Sequence, residues 1–101
     1  MIFMKIRATF SKSGDMRLIS HLDLMRLFSR ALRRADLPVR ITKGFSPHLK
    51  ISIKRALKLG IESENEELDV YAAERIEQNF FMESLNKSLP NGIRIKRVEE
   101  L

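Results

Sequence analysis

Ile2-Phe3-Met4-Lys5-Ile6-Arg7-Ala8-Thr9-Phe10 is the stretch from which the fold is read. Ile2, Met4, Ile6, Ala8 and Phe10 fall on one side, and Phe3, Lys5, Arg7 and Thr9 on the other. A period of two sustained this long predicts a strand with one buried face. Ser11-Lys12-Ser13-Gly14-Asp15 follows as a turn cluster. Ser20 then reads as a helix N-cap, with Asp23 in the capping-box position three residues on. Leu22, Leu24, Met25, Phe28, Ala31, Leu32 and Ala35 recur at helical spacing and form a broad apolar stripe. Asp36-Leu37-Pro38 ends the helix, because proline disfavours helical geometry in the residue before it.

Beyond the loop Lys43-Gly44-Phe45-Ser46-Pro47-His48, Leu49, Ile51 and Ile53 alternate with Lys50, Ser52 and Lys54, predicting a second strand. Leu57, Leu59 and Ile61 also alternate within 56–65, with Gly60 marking a bulge or bend. Glu62, Glu64, Glu66 and Glu67 read as a solvated acidic loop, after which Leu68, Val70 and Ala72 mark a third strand. A second helix lies within 74–89, where Phe81, Leu85 and Leu89 are spaced by four. Pro90-Asn91-Gly92 makes a turn, and Ile93, Ile95 and Val98 belong to a last strand. The order β-α-β-β-α-β predicts a ferredoxin-like α+β sandwich, with four antiparallel strands and both helices on one sheet face. Ile6, Leu22, Met25, Phe28, Leu32, Ile51, Val70, Phe81, Leu85 and Ile95 are expected in its core. Lys5, Arg7, Thr9, His48, Lys50, Ser52, Lys54, Glu67, Asp69, Tyr71, Arg94 and Lys96 are expected on the open sheet face.

The 101 residues are enough for one domain with one core. No apolar run approaches the roughly 18–20 residues of a membrane-spanning helix, and the apolar start at Met1–Met4 is broken by Lys5 and Arg7, unlike a secretory signal. The chain has no cysteine, so it holds neither a disulfide nor a thiolate metal or iron–sulfur site. A cytoplasmic location is expected. The net charge of +6 is unevenly spread. Residues 1–60 contain fourteen Lys/Arg against three Asp, and residues 61–101 contain five Lys/Arg against ten Asp/Glu. A basic half followed by an acidic half implies either a surface that faces a polyanion or two halves that pair their charges.

Phe10 to Arg26, Ala31-Leu32-Arg33-Arg34-Ala35 with Leu37-Pro38, Gly44-Phe45-Ser46-Pro47-His48-Leu49-Lys50-Ile51-Ser52, Leu59-Gly60-Ile61 and Leu68-Asp69-Val70 together resemble the radical-SAM-linked domain of unknown function. This bacterial domain occurs alone or C-terminal to radical S-adenosylmethionine proteins. The likeness runs from Lys5 to about Arg97 and is to the N-terminal half of longer members. It implies a radical SAM protein as partner and carries over no assigned activity. Because this chain lacks cysteine, any such cluster belongs to the partner.

Arg26, Arg30, Arg33 and Arg34 lie at i, i+4, i+7 and i+8 of the first helix, opposite its apolar stripe. Guanidinium groups grip phosphate in bidentate fashion, so this array suits a nucleic-acid backbone; the alternative is a solvated helix face. Arg17 precedes the same helix. In the loop, Phe45 is placed either to stack on a base or to cap the core, and Lys43, His48 and Lys50 to meet phosphates. His21 and His48 are candidates for paired proton transfer if the fold brings them together. They fall short of a metal site, and Gly-rich phosphate loops, G-x-S-x-G and H-E-x-x-H are absent. The expected function is a non-catalytic accessory module, without cofactor, that contacts RNA beside a radical SAM partner. The alternatives are a basic surface docking an acidic protein and a small metal-independent RNA-processing enzyme. A chain this short also leaves surface to cover, so self-association or strand addition at a sheet edge is expected.

Overall fold

The computed structural model describes residues 4–55 and 59–101. Its elements are β1 (Met4–Lys12), a 3-10 turn (Gly14–Leu18), α1 (His21–Arg34), β2 (Ile51–Ile53), β3 (Ser63–Ala72), α2 (Gln78–Ser88) and β4 (Ile93–Glu100). The strands form one antiparallel sheet in the order β2-β3-β1-β4, so the first and third strands are central. This is the expected ferredoxin-like α+β arrangement. Ile6, Ala8 and Phe10 of β1, Leu68, Val70 and Ala72 of β3, and Ile93 and Ile95 of β4 are buried together with Leu24, Phe28 and Leu32 of α1 and Phe81 and Leu85 of α2. Phe28 meets Phe10 edge-to-face at 5.0 Å, fastening α1 to the central strand.

Ser20 caps α1 as expected, its Oγ accepting the Asp23 N–H. The other end closes by a mechanism the proline did not reveal. Asp36 takes a left-handed conformation (φ 56°), and the Leu37 N–H reaches back to the Leu32 carbonyl. This is the Schellman geometry, completed by burial of Leu37. Two residues expected in the core lie outside it. Leu22 is 58% exposed and Met25 half-buried. The stripe that meets the sheet is Leu24, Leu27, Phe28, Ala31 and Leu32, and Leu22 and Met25 sit on its flank.

The region before β2 differs most from expectation. Residues 39–50 double back: Val39 bridges Ala72 and Ile41 bridges Leu49, while the Arg40 N–H donates to the Tyr71 carbonyl. Regular pairing with β3 therefore begins only at Ile51. The sheet's open face carries Lys5, Arg7 and Lys50 as expected, but not His48, because strand alternation does not extend back to it. β1 runs on to Lys12 and β3 starts at Ser63, since Lys12 pairs with Ser63 and Phe10 with Glu66 across an irregular register. The acidic loop reading is thereby corrected. Glu66 is 1% exposed and belongs to a strand, where Arg55 and Ser63 hold its carboxylate.

Leu57 lies outside the described residues, and Leu59 and Ile61 are exposed with no strand at either. In β4 a register shift beside Thr9 and Phe10 puts Arg97 opposite Thr9 and Ile95 opposite Phe10. That bulge brings Val98 to the same face as Ile93 and Ile95. Gly92 has φ 98°, and a Cβ there would lie 2.6 Å from the Ser13 carbonyl oxygen, so only glycine fits this turn.

Candidate nucleic-acid interface

The apolar stripe of α1 points Leu24, Leu27, Phe28, Ala31 and Leu32 at the sheet, and the helical period then places Arg26, Arg30, Arg33 and Arg34 outward. The segment 47–51 runs beside α1, and a groove of about 620 Å³ opens between them. His21, Arg26, Arg30 and Arg33 line it from the helix, and His48 from the facing segment. Leu22, Met25, Pro47, Leu49 and Ile51 supply apolar walls, and Ser29 a hydroxyl. Among the described residues no acidic one lines it. The fold thus brings both histidines and three of the four helix arginines to one place. The His48 Nδ1 lies 3.0 Å from the Leu49 carbonyl oxygen. The His21 Nδ1 is enclosed and meets no hydrogen-bond partner among the described residues.

The fourth arginine, Arg34, lies on a second groove of about 310 Å³ with Arg30, Lys87 and Pro90. Other expected site residues lie elsewhere. Arg17 donates to the Gly14 carbonyl at 2.9 Å within the 3-10 turn. Lys43 and Phe45 are at the tip of the 39–50 loop, and Phe45 is fully exposed, which overturns the core-capping reading. Lys50 is on the opposite sheet face, its Nζ 4.6 Å from the Tyr71 ring centre, with Lys5 at 5.3 Å from the same ring. It is excluded from the groove because Leu49 and Ile51, its sequence neighbours, face the other way. Phe45→Ala should leave the thermal midpoint unchanged, since an exposed ring gives up no burial; a drop of several degrees would show that the loop packs.

Charge pairing sets the helix apart from the sheet. On the open face Arg7 holds Asp69 through two hydrogen bonds of 2.8 and 2.9 Å, and Lys5 lies 3.6 Å from the same carboxylate. Glu67 is 3.7 Å from Arg7 and 3.8 Å from Lys54. These bonds hold the Asp69 carboxyl below its ordinary pKa, against the opposing effect of burial. Lys5, Arg7 and Lys54 of the open face are therefore paired with carboxylates of β3, while Lys50 rests on the Tyr71 ring. Here the basic and acidic halves do pair. On α1, Arg26 meets only Asp23, at 3.4 Å and exposed, a pairing worth little. Arg30, Arg33 and Arg34 make no ion pair among the described residues.

Leu22, Met25 and Ser29 of the groove wall were not identified as site residues from sequence. Their spacing with Arg26 and Arg33 marks a second stripe beside the core stripe, and that signal was available. Lys87 was not, because only tertiary packing brings it to Arg30 and Arg34. Among the described residues no cluster of three His, Cys, Asp or Glu is placed to hold a metal ion, and no helix is long and apolar enough to cross a membrane. No curated protein and no solved structure matches the chain. One family model spans residues 5–101, nearly the whole sequence, and the chain belongs to that family, described as an uncharacterized protein conserved in bacteria (DUF2344).

Proposed function

We propose that this protein is a non-catalytic accessory module of the bacterial cytoplasm that contacts RNA through α1 and works beside a radical SAM partner. One observation carries the RNA reading: Lys5, Arg7 and Lys54 of the sheet are paired with β3 carboxylates, whereas Arg30, Arg33 and Arg34 stand without acidic partners among the described residues. Uncompensated guanidinium groups on one helix face favour a polyanion. The groove's apolar wall beside them suits an unstacked base, as single-stranded RNA offers. The radical SAM partner rests on the sequence resemblance, and the lack of cysteine assigns any cluster to that partner.

The test is a salt titration of single-stranded RNA binding by the parent and by an Arg26→Gln, Arg30→Gln, Arg33→Gln variant. Loss of three phosphate contacts should weaken binding to every sequence alike and reduce the log–log salt slope by about 2. The thermal midpoint should hardly move, because these arginines are exposed. Equal binding by parent and variant at low and high salt would refute the RNA reading. One observation favours a second reading: Leu22 is 58% exposed on the groove wall, so an acidic amphipathic helix of a partner protein also fits. RNA recovered intact after incubation with the parent supports the non-catalytic assignment; cleavage lost on His21→Ala or His48→Ala would establish the enzyme instead.

A further inference from the structure

Among the described residues, Arg30 alone lines both of these grooves beside α1. On one side of it lie Arg26, Arg33, His21 and His48, and on the other Arg34 and Lys87. Among the described residues neither groove has an acidic lining residue, in a chain with thirteen Asp and Glu. Arg34 and Lys87 each sit in the last turn of a helix, where a cation complements the helix dipole. That accounts for one charge at each end. It does not account for both converging with Arg30 on one concave surface.

We infer that the grooves are two consecutive subsites for one single-stranded RNA segment that crosses α1, with Arg30 gripping the phosphate between them. The inference rests on the RNA reading above and extends it to the direction and length of the bound strand. Arg26 to Arg34 covers about 12 Å of helix axis at 1.5 Å per residue, room for about two or three phosphates. The larger groove has walls for a base in Leu22, Met25 and Pro47, and the smaller one in Leu89 and Pro90. Both volumes lie within the roughly 300–1,000 Å³ of small-ligand sites, so each takes a nucleotide-sized group and not a duplex. Lys43 and Phe45, at the tip of the 39–50 loop, line neither groove, whereas Pro47 and His48 of its returning arm line the larger one.

The experiment measures fluorescence anisotropy of labelled oligouridylates of increasing length with the full chain. Affinity of the parent should rise with length until both subsites are spanned, because the second contact is made intramolecularly. An Arg34→Gln, Lys87→Gln variant should remove that rise, losing about tenfold more affinity for a long oligomer than for a short one. Arg30→Gln should weaken short and long oligomers alike. Both changes are at exposed positions, and an unchanged circular dichroism melt confirms the fold. If the Arg34→Gln, Lys87→Gln variant keeps the parent's length dependence and salt slope, the second subsite is refuted while the first groove stands. If the parent binds no oligomer even at low salt, the RNA reading fails and the two-subsite path with it.

Discussion

Phe28→Ala should destabilise the protein by about 4 kcal/mol, the usual cost of emptying a buried phenylalanine site. Phe28 is fully buried and packs edge-to-face on Phe10, itself fully buried in the central strand. Folded domains are stable by only about 5–15 kcal/mol, so the loss is a large share of the total. The urea midpoint should fall sharply with the slope unchanged. The functional consequence follows from the same contact. Phe28 holds the helix whose outer face carries Arg26, Arg30 and Arg33, so the groove loses its wall as α1 loosens from the sheet. Phe28→Leu, which keeps most of the volume, should recover much of both stability and binding. A midpoint unmoved by Phe28→Ala would mean that α1 is held by other contacts.

Glu66→Gln should cost about 2 kcal/mol, in the range for hydrogen bonds to a charged group, because the Glu66 carboxylate is buried while its partner Arg55 is exposed. Glu66 accepts hydrogen bonds of 3.0 and 2.8 Å from Arg55 and another from Ser63, and its charge supports the buried Lys12 ammonium. Removing that charge takes a favourable coulombic contribution from the buried Lys12 ammonium. Replacing both charges, as Lys12→Met with Glu66→Leu, should cost less than Glu66→Gln alone, because apolar groups of similar size need no counter-charge.

The pH dependence has a definite sign. Hydrogen bonds from Arg55 hold the Glu66 carboxyl below its ordinary pKa, and those from Arg7 do the same for Asp69. A carboxylate with a depressed folded pKa contributes stability that is complete above the unfolded value, about 4, and lost as pH falls through the folded one. Stability should therefore decline on acidification below about pH 5, and the decline should be shallower in Glu66→Gln. Burial pushes the Lys12 ammonium down from its ordinary pKa, so its penalty is relieved as pH rises through the folded value. An acid arm of the same steepness in parent and Glu66→Gln would show that Glu66 is not ionised in the fold.

Some of the site was legible because local periodicity determines it. The Ser20 cap, the outward arginines of α1 and the buried faces of β1 and β3 all follow from spacings of two, three and four residues. Glu66 misled because an acidic run reads as solvated until an arginine eleven residues earlier in the chain is brought to it. Alternation counted back from Ile51 puts His48 on the open face, but regular strand pairing starts only at Ile51, and His48 turns to the groove. Leu22 fits a helical stripe in sequence, but which of two adjoining stripes meets the sheet depends on the helix's rotation about its axis.

By itself the sequence determined the element order, the ferredoxin-like arrangement and a helix with four arginines outside its core stripe. These depend on interactions between residues a few positions apart, which a linear pattern records directly. Tertiary structure alone decided which charges are free. The open sheet face and α1 both look basic in sequence, yet Asp69 and Glu67 of β3 lie across from Arg7 and Thr9 of β1 and pair with Lys5, Arg7 and Lys54 on the sheet. It also decided that His21 and His48 share a groove, and that Lys87 joins Arg30 and Arg34 from another helix. Coulomb interactions and concave surfaces depend on distances in space, and residues far apart in the chain come within reach only when strands pair and helices dock.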